Sequence, residues 1–227
     1  MATGERISAR PETEELLYRC TFGAPEFGLL EWRGQFLNDI FRVASGAGIA
    51  RVEDFIIDRK PDALSQQSVN VRLLQGKGNL RMSVDRYEVS ARNYTEDELA
   101  KLIETVEGIH PVIAKHVAGF LPSKSQVVLA FHITLDGTSA EDYFCSELKG
   151  QGSLTGAKIF GFEYNFSIPE ADGAMLVEKS FAYSNAVFVR FNLDWKGEVS
   201  DFKGAQRKVL QLVGERLREL NLNVARL

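Results

Sequence analysis

The sequence predicts an α+β fold, mostly antiparallel sheet covered by about three amphipathic helices. Three observations predict it. Several segments alternate apolar and polar residues with the period of two that marks a half-buried strand. Three longer segments carry apolar residues at helical spacing. The strands come in runs joined by short turns rather than alternating strictly with helices, which favours antiparallel pairing. The expected order is β-α-β-β-β-α, then β-β-β-β-α.

The first alternation runs from Glu15 to Phe22, with Leu16, Tyr18, Cys20 and Phe22 on one face. Gly23-Ala24-Pro25 ends it. From Phe27 to Ala44 the apolar positions Leu29, Leu30, Phe36, Leu37, Ile40 and Phe41 repeat as on a helix, which the glycines at 46 and 48 stop. Strands follow over Arg51–Asp58, Ser68–Leu74 and Leu80–Ser90. The last of these changes parity at Asp85-Arg86, which requires a bulge or a tight turn. Thr95-Glu96-Asp97-Glu98 is a capping box. It opens a helix that Pro111 is expected to interrupt, with a second helical piece ending at Pro122.

The remaining hundred or so residues read mostly as strand. Val127 to Leu135 alternates and puts His132 on its polar face; Asp136-Gly137 is a turn signal. Tyr143–Leu148 is expected to pair back as a strand. Ile159–Ile168 alternates, Ala171-Asp172-Gly173 turns the chain, and Met175–Trp195 follows with a break near Ser184-Asn185. Asp201–Leu222 is an amphipathic helix. Val187, Val189, Phe191 and Leu193 share a strand face that this last helix is expected to cover. The chain therefore divides into a loose segment over 1–14, a first α+β half over 15–122, and a second over 123–227 ending in a long helix. The two halves share one core or pack as separate bodies.

The bulk numbers narrow the function classes. The chain has 227 residues, 44% of them apolar and 26% charged, a globular balance able to bury a core. A net charge of −4 and a pI near 5.5 make nucleic acid an unlikely main partner on average, without excluding a local basic patch. Cys20 and Cys145 are far apart and form no Cys-x-x-Cys, so two reduced thiols fit better than a disulfide. No apolar run has the length of a membrane span, and the first residues lack a signal-peptide core. The expectation is a soluble, cytoplasmic protein.

Candidate chemistry is sparse. His132 and Cys145 become neighbours if their segments form a hairpin, and a thiol beside an imidazole is an activated nucleophile. A small buried cysteine is the plainer reading. Glu107-Gly108-Ile109-His110 places two metal-ligand types on one helix face, but one copy is not a ligand set, so no metal and no cofactor is expected. Gly150, Gly152 and Gly156 lead into a strand rather than a helix, the wrong context for a phosphate loop. Lys203, Arg207, Lys208, Arg216 and Arg218 read as a solvated helix face. Phe160, Phe162, Tyr164, Phe166, Val189 and Phe191 are candidates to line an apolar pocket between sheet and helix. A sheet closed by a C-terminal helix resembles helix-grip ligand binders, from which the helical stretch at 95–121 departs. The function expected is therefore a non-catalytic protein-binding or assembly protein, with self-association included. An apolar small-molecule binder and an enzyme using His132 and Cys145 are the alternatives.

Overall fold

The computed structural model describes residues 7–31, 34–58, 67–117, 120–147, 161–196 and 201–224. Among these residues the chain is α+β, with antiparallel sheet, ten strands and four α-helices. In chain order they are β1 (Ile7–Phe22), α1 (Gly34–Gly46), β2 (Phe55–Asp58), β3 (Ser68–Leu73), β4 (Gly78–Met82), β5 (Arg86–Arg92) and α2 (Glu96–His116). There follow β6 (Pro122–Leu135), α3 (Ala140–Glu147), β7 (Gly161–Ile168), β8 (Ala171–Lys179), β9 (Ala186–Lys196), α4 (Phe202–Glu219) and β10 (Leu222–Val224). The chain forms two compact units. The early unit holds Glu15–Val127 and Asp194–Ala205; the late unit holds Met1–Glu14, Val128–Leu193 and Gln206–Leu227.

In the early unit the strands follow one another as β2-β3-β4-β5-β1-β6. The pairs from β2 to β1 are antiparallel, with Val69 opposite Met82, Leu80 opposite Val89, and Tyr18 also opposite Val89. Odd and even positions separate as the alternation requires. Val69, Val71, Leu80, Tyr18, Cys20 and Tyr87 are buried on the inner face. That face meets α2 through Tyr87, whose hydroxyl lies 3.3 Å from His110 Nδ1, and Phe22 lies edge-on to Phe120, beyond the helix end, at 5.0 Å. The parity change in the third predicted strand is a tight turn between β4 and β5: Ser83 N donates to Arg86 O at 2.9 Å, and Ser83 Oγ to Asp85 Oδ1 at 2.7 Å.

The capping box forms as its residues dictate. Glu98 N donates to Thr95 Oγ1 at 3.2 Å and Thr95 N to Glu98 Oε2 at 2.8 Å. Pro111, expected to interrupt the helix, does not: α2 runs unbroken through it. The proline is exposed while Ile109 and Ile113 on either side are fully buried. That packing offsets the roughly 3 kcal/mol an interior proline costs. Gly108 faces α1 closely enough that a Cβ would meet Val43 Cγ1 at 2.7 Å, so the glycine sets how near the two helices approach.

The late unit has the order β1-β6-β9-β8-β7, with β10 parallel to the start of β1. Val187, Val189, Phe191 and Leu193 are fully buried. Phe191 packs on Phe166 at 5.3 Å, and the Arg216 guanidinium of α4 lies over the Phe166 ring at 5.6 Å. The inner face thus lies beneath α4. Phe181 and Tyr183, which share the odd parity of that row, belong to the turn before β9 and are exposed. Between β7 and β8 the turn is Pro169-Glu170, with Ile168 opposite Ala171, so β8 starts before the predicted turn at Ala171-Asp172-Gly173. Gly173 sits under the Phe166 ring, where any Cβ would collide with it.

Two further differences have physical causes. Tyr143–Leu148 does not return as a strand: α3 occupies Ala140–Glu147. Ser139 Oγ accepts from Asp142 N at 3.0 Å, and Glu141 and Asp142 fill the first turn, which is a helix start. β1 begins at Ile7, earlier than Glu15, because β10 supplies Ile7, Ser8 and Ala9 with a partner from the far end of the chain. The stretch from 150 to 156 lies outside the described residues.

Candidate functional site

The outward face of the early unit carries a hydrogen-bonded ladder of charges. Across the strands, Asn70 stands opposite Arg81, Arg81 opposite Glu88, and Glu88 opposite Arg19. Arg19 Nε donates to Glu88 Oε1 at 2.7 Å and its NH1 to Gln126 Oε1 at 3.2 Å. Gln126 Nε2 passes the row on to Asp194 Oδ1 at 2.9 Å, and Lys124 Nζ reaches Asp194 Oδ2 at 2.9 Å. Arg86 Nε adds a second cation to Glu88 at 3.2 Å. The strand positions of β1, β3, β4, β5, β6 and β9 on this face carry Arg19, Arg72, Arg81, Arg86, Arg92, Lys124 and Lys196. Against these seven cations stand three carboxylates, Glu15, Glu88 and Asp194. Arg81 and Lys196 have no hydrogen-bond or ion-pair partner among the described residues. Neighbouring positions in this row stand at the spacing of strands, about 4.8 Å apart.

A second charged cluster joins α1 to α2. Asp39 is buried and accepts from Lys115 Nζ at 2.8 Å; His116 Nε2 lies 2.9 Å away, and Arg42 NH1 lies 3.2 Å from its other oxygen. The hydrogen bond from Lys115, then that of His116, hold the Asp39 carboxyl down to about 2. Lys115 and His116 stand in the last turn of α2, where the helix dipole favours positive charge. The cluster is a staple between helices.

In the late unit the exposed feature is aromatic. Ser180 is buried and its Oγ accepts from Ala182 N at 3.1 Å and Tyr183 N at 3.0 Å. Those two amides occupy the hydroxyl's lone pairs, so its proton is donated to His132 Nδ1, 2.9 Å away. The His132 ring rests between Tyr183 at 5.4 Å and Phe188 at 4.9 Å. The same turn holds Phe181 in solvent with 93% of its surface exposed.

The structure does not build the predicted hairpin on which a pair of His132 and Cys145 depended. Cys145 is an exposed thiol on α3, and His132 is engaged by Ser180 instead. Of the predicted pocket lining, Val189 and Phe191 are fully buried, Phe162, Tyr164 and Phe166 are half-buried, and Phe160 lies outside the described residues. These rings fill one another's space: Phe162 packs on Phe144, and Tyr164 on Phe166. Tyr164 gives its hydroxyl proton to Met175 Sδ at 3.1 Å, and burial pushes that hydroxyl up. Glu107 and His110 go to different partners, Lys203 N at 3.4 Å and Tyr87. Among the described residues no group of three His, Cys, Asp or Glu is arranged to hold a metal. On α4, Lys208 pairs with Glu170, Arg216 with Glu219, and Arg218 with the Gly214 carbonyl.

The cationic sheet face is absent from the sequence-based expectations. Its signal is the outward parity of Arg19, Asn70, Arg72, Arg81 and Arg86, read from the same alternation that marks the core.

No family model matches this chain, and no curated protein matches it. Among solved structures, a rolling circle replication initiator protein from Geobacillus stearothermophilus aligns over 92% of this chain and 84% of its own, with 11% identity and a TM-score of 0.35. At that score the likeness carries no argument about what this chain does. That neighbour is a replication initiator, which differs from the expected non-catalytic protein-binding or assembly role, with its apolar-ligand and His132/Cys145 alternatives, and from nucleic acid being an unlikely partner. Both expectations are withdrawn. The physical flaw in the second is that a net charge of −4 averages the whole chain, whereas one sheet face carries a cationic excess. Among the described residues no helix is long and apolar enough to cross a membrane.

Proposed function

We propose that this chain binds single-stranded nucleic acid, with the outward sheet face of the early unit taking the sugar-phosphate backbone. The observation that carries the reading is the excess of cations on that face, seven against Glu15, Glu88 and Asp194 on the strands and Asp54 and Asp85 beside them, while α2 lies against the opposite one. Phosphate contacts from arginine and lysine supply most of such affinity. A broad, open sheet offers no element shaped to enter a groove, so an extended single strand laid across it is the fitting substrate. Arg81 and Lys196, without partners among the described residues, are placed to meet phosphate; Arg19 and Arg86 are held in place by Glu88. The reading keeps the cytoplasmic placement, which the two free thiols support.

Fluorescence anisotropy with a labelled single-stranded oligonucleotide, over a series of salt concentrations, tests this. Binding is expected to weaken linearly in log–log form as salt rises, and Arg81→Ala is expected to reduce the slope by about 0.7. The absence of binding at low salt overturns the proposal. So does binding that the double variant Arg81→Glu with Lys196→Glu leaves unchanged.

A further inference from the structure

Beside the paired strands β7 and β8 the late unit has an open cleft of about 350 Å³, lined by Gly161, Phe162, Glu163, Leu176, Glu178 and Phe181. Lys179 also borders it, but its ammonium is taken by Glu141 at 2.7 Å. Glu163 and Glu178 have no ion-pair partner among the described residues. Gly161 stands opposite Glu178, and a Cβ there would fall 2.7 Å from the Glu178 Cβ and the Val177 carbonyl, so this part of the lining admits no side chain. Phe181 is the most solvent-exposed of the large apolar side chains and is held by the turn that Ser180 organises through two backbone amides.

We infer that this cleft is a nucleobase subsite selective for bases with an exocyclic amino group, cytosine above all, stacked on Phe181 with that amino group donated to Glu163 or Glu178. The inference rests on the single-strand reading above and adds base preference to it. An exposed aromatic ring carried on a hydrogen-bonded turn is a stacking platform, since every base has a π-face. Two unpaired carboxylates repel phosphate, so the backbone does not run through this cleft. They accept hydrogen bonds, and Glu to the cytosine amino group is an established pairing geometry. Thymine presents a carbonyl at that position, which a carboxylate rejects.

The test compares short single-stranded oligo-dC and oligo-dT with the full chain by anisotropy, together with Phe181→Ala and the double variant Glu163→Gln with Glu178→Gln. Oligo-dC is expected to bind about tenfold more tightly than oligo-dT, the size of one good base contact. Phe181→Ala is expected to weaken oligo-dC about tenfold, and the glutamine variant to bring oligo-dC toward oligo-dT. Equal binding of the two oligomers with no effect of Phe181→Ala overturns the base subsite and leaves backbone binding standing. Failure of both oligomers to bind removes both proposals. Competition by arginine amide as effective as competition by cytidine assigns the cleft to a planar cation and overturns the nucleobase.

Discussion

In the early unit the outward row across the sheet reads Asn70, Arg81, Glu88, Arg19 and Gln126; in the late unit the outward positions of β7, β8 and β9 carry Glu163, Leu176, Glu178, Phe188 and Arg190. Both rows lie on sheets whose other face is packed with apolar side chains. In the first, hydrogen bonds join Glu88, Arg19 and Gln126, and cations are in excess. The second mixes carboxylates, an arginine without an ion-pair partner among the described residues, and the half-buried ring of Phe188. The difference shows that alternation fixes which side of a strand is wet but leaves the chemistry of that side free. The two proposed roles, holding a backbone and selecting a base, are accordingly assigned to separate units.

The widest test of the comparison is to unpack one unit. Phe191→Ala empties a fully buried ring position beneath α4 and is expected to cost about 3–5 kcal/mol, measured by denaturant unfolding. Hydrogen exchange on the same variant shows whether β3, β4 and β5 keep their protection; if they do, the units are independent in stability as well as in surface. Arg19→Ala cuts the ladder at its centre and is expected to cost about 1.5 kcal/mol, since Glu88 loses one of its two cations and Gln126 loses a donor. Thr95→Ala removes the α2 cap and is expected to cost about 1 kcal/mol in the early unit alone.

A pH-confined effect comes next. The Asp39 carboxyl is held down to about 2 from an ordinary 3.8, so its stabilisation is complete above about pH 4 and is lost as pH falls toward 2. Asp39→Asn is expected to flatten that acid limb while leaving the region from pH 5 to 7 without a new slope; an unchanged limb assigns acid unfolding to other carboxylates. The smallest stability effect belongs to Phe181→Ala, within about 0.5 kcal/mol, because the ring is in solvent. A large destabilisation there makes Phe181 structural and counts against its role as a platform.

Much of the fold is legible in the residues. The alternation at Leu16, Tyr18 and Cys20, the capping box at Thr95 and the parity change at Asp85-Arg86 each became the element their local chemistry dictates. What escaped was non-local or short. β10 exists because Leu222, Asn223 and Val224 find Ile7, Ser8 and Ala9 at the other end of the chain. α3 is too brief for apolar periodicity to reveal it; its signal is Ser139 ahead of Glu141 and Asp142. Pro111 misled because propensity is local and the burial of Ile109 and Ile113 is not. The candidate site was harder still. Ser180 and His132 are distant in sequence, and outward arginines look like ordinary solvated positions until the register puts Arg81 beside Glu88 and Arg19.

The fit of the Phe166 ring over Gly173 has a kinetic consequence. Shifting β7 against β8 by one place would drive that ring into a side chain and turn Met175 and Val177 to the wrong side, so the arm tolerates one alignment. Joined by only Pro169 and Glu170, it is the most local pairing in the late unit and the natural nucleus for its assembly. High φ-values within β7 and β8, against low ones in β10, are the signature of that route.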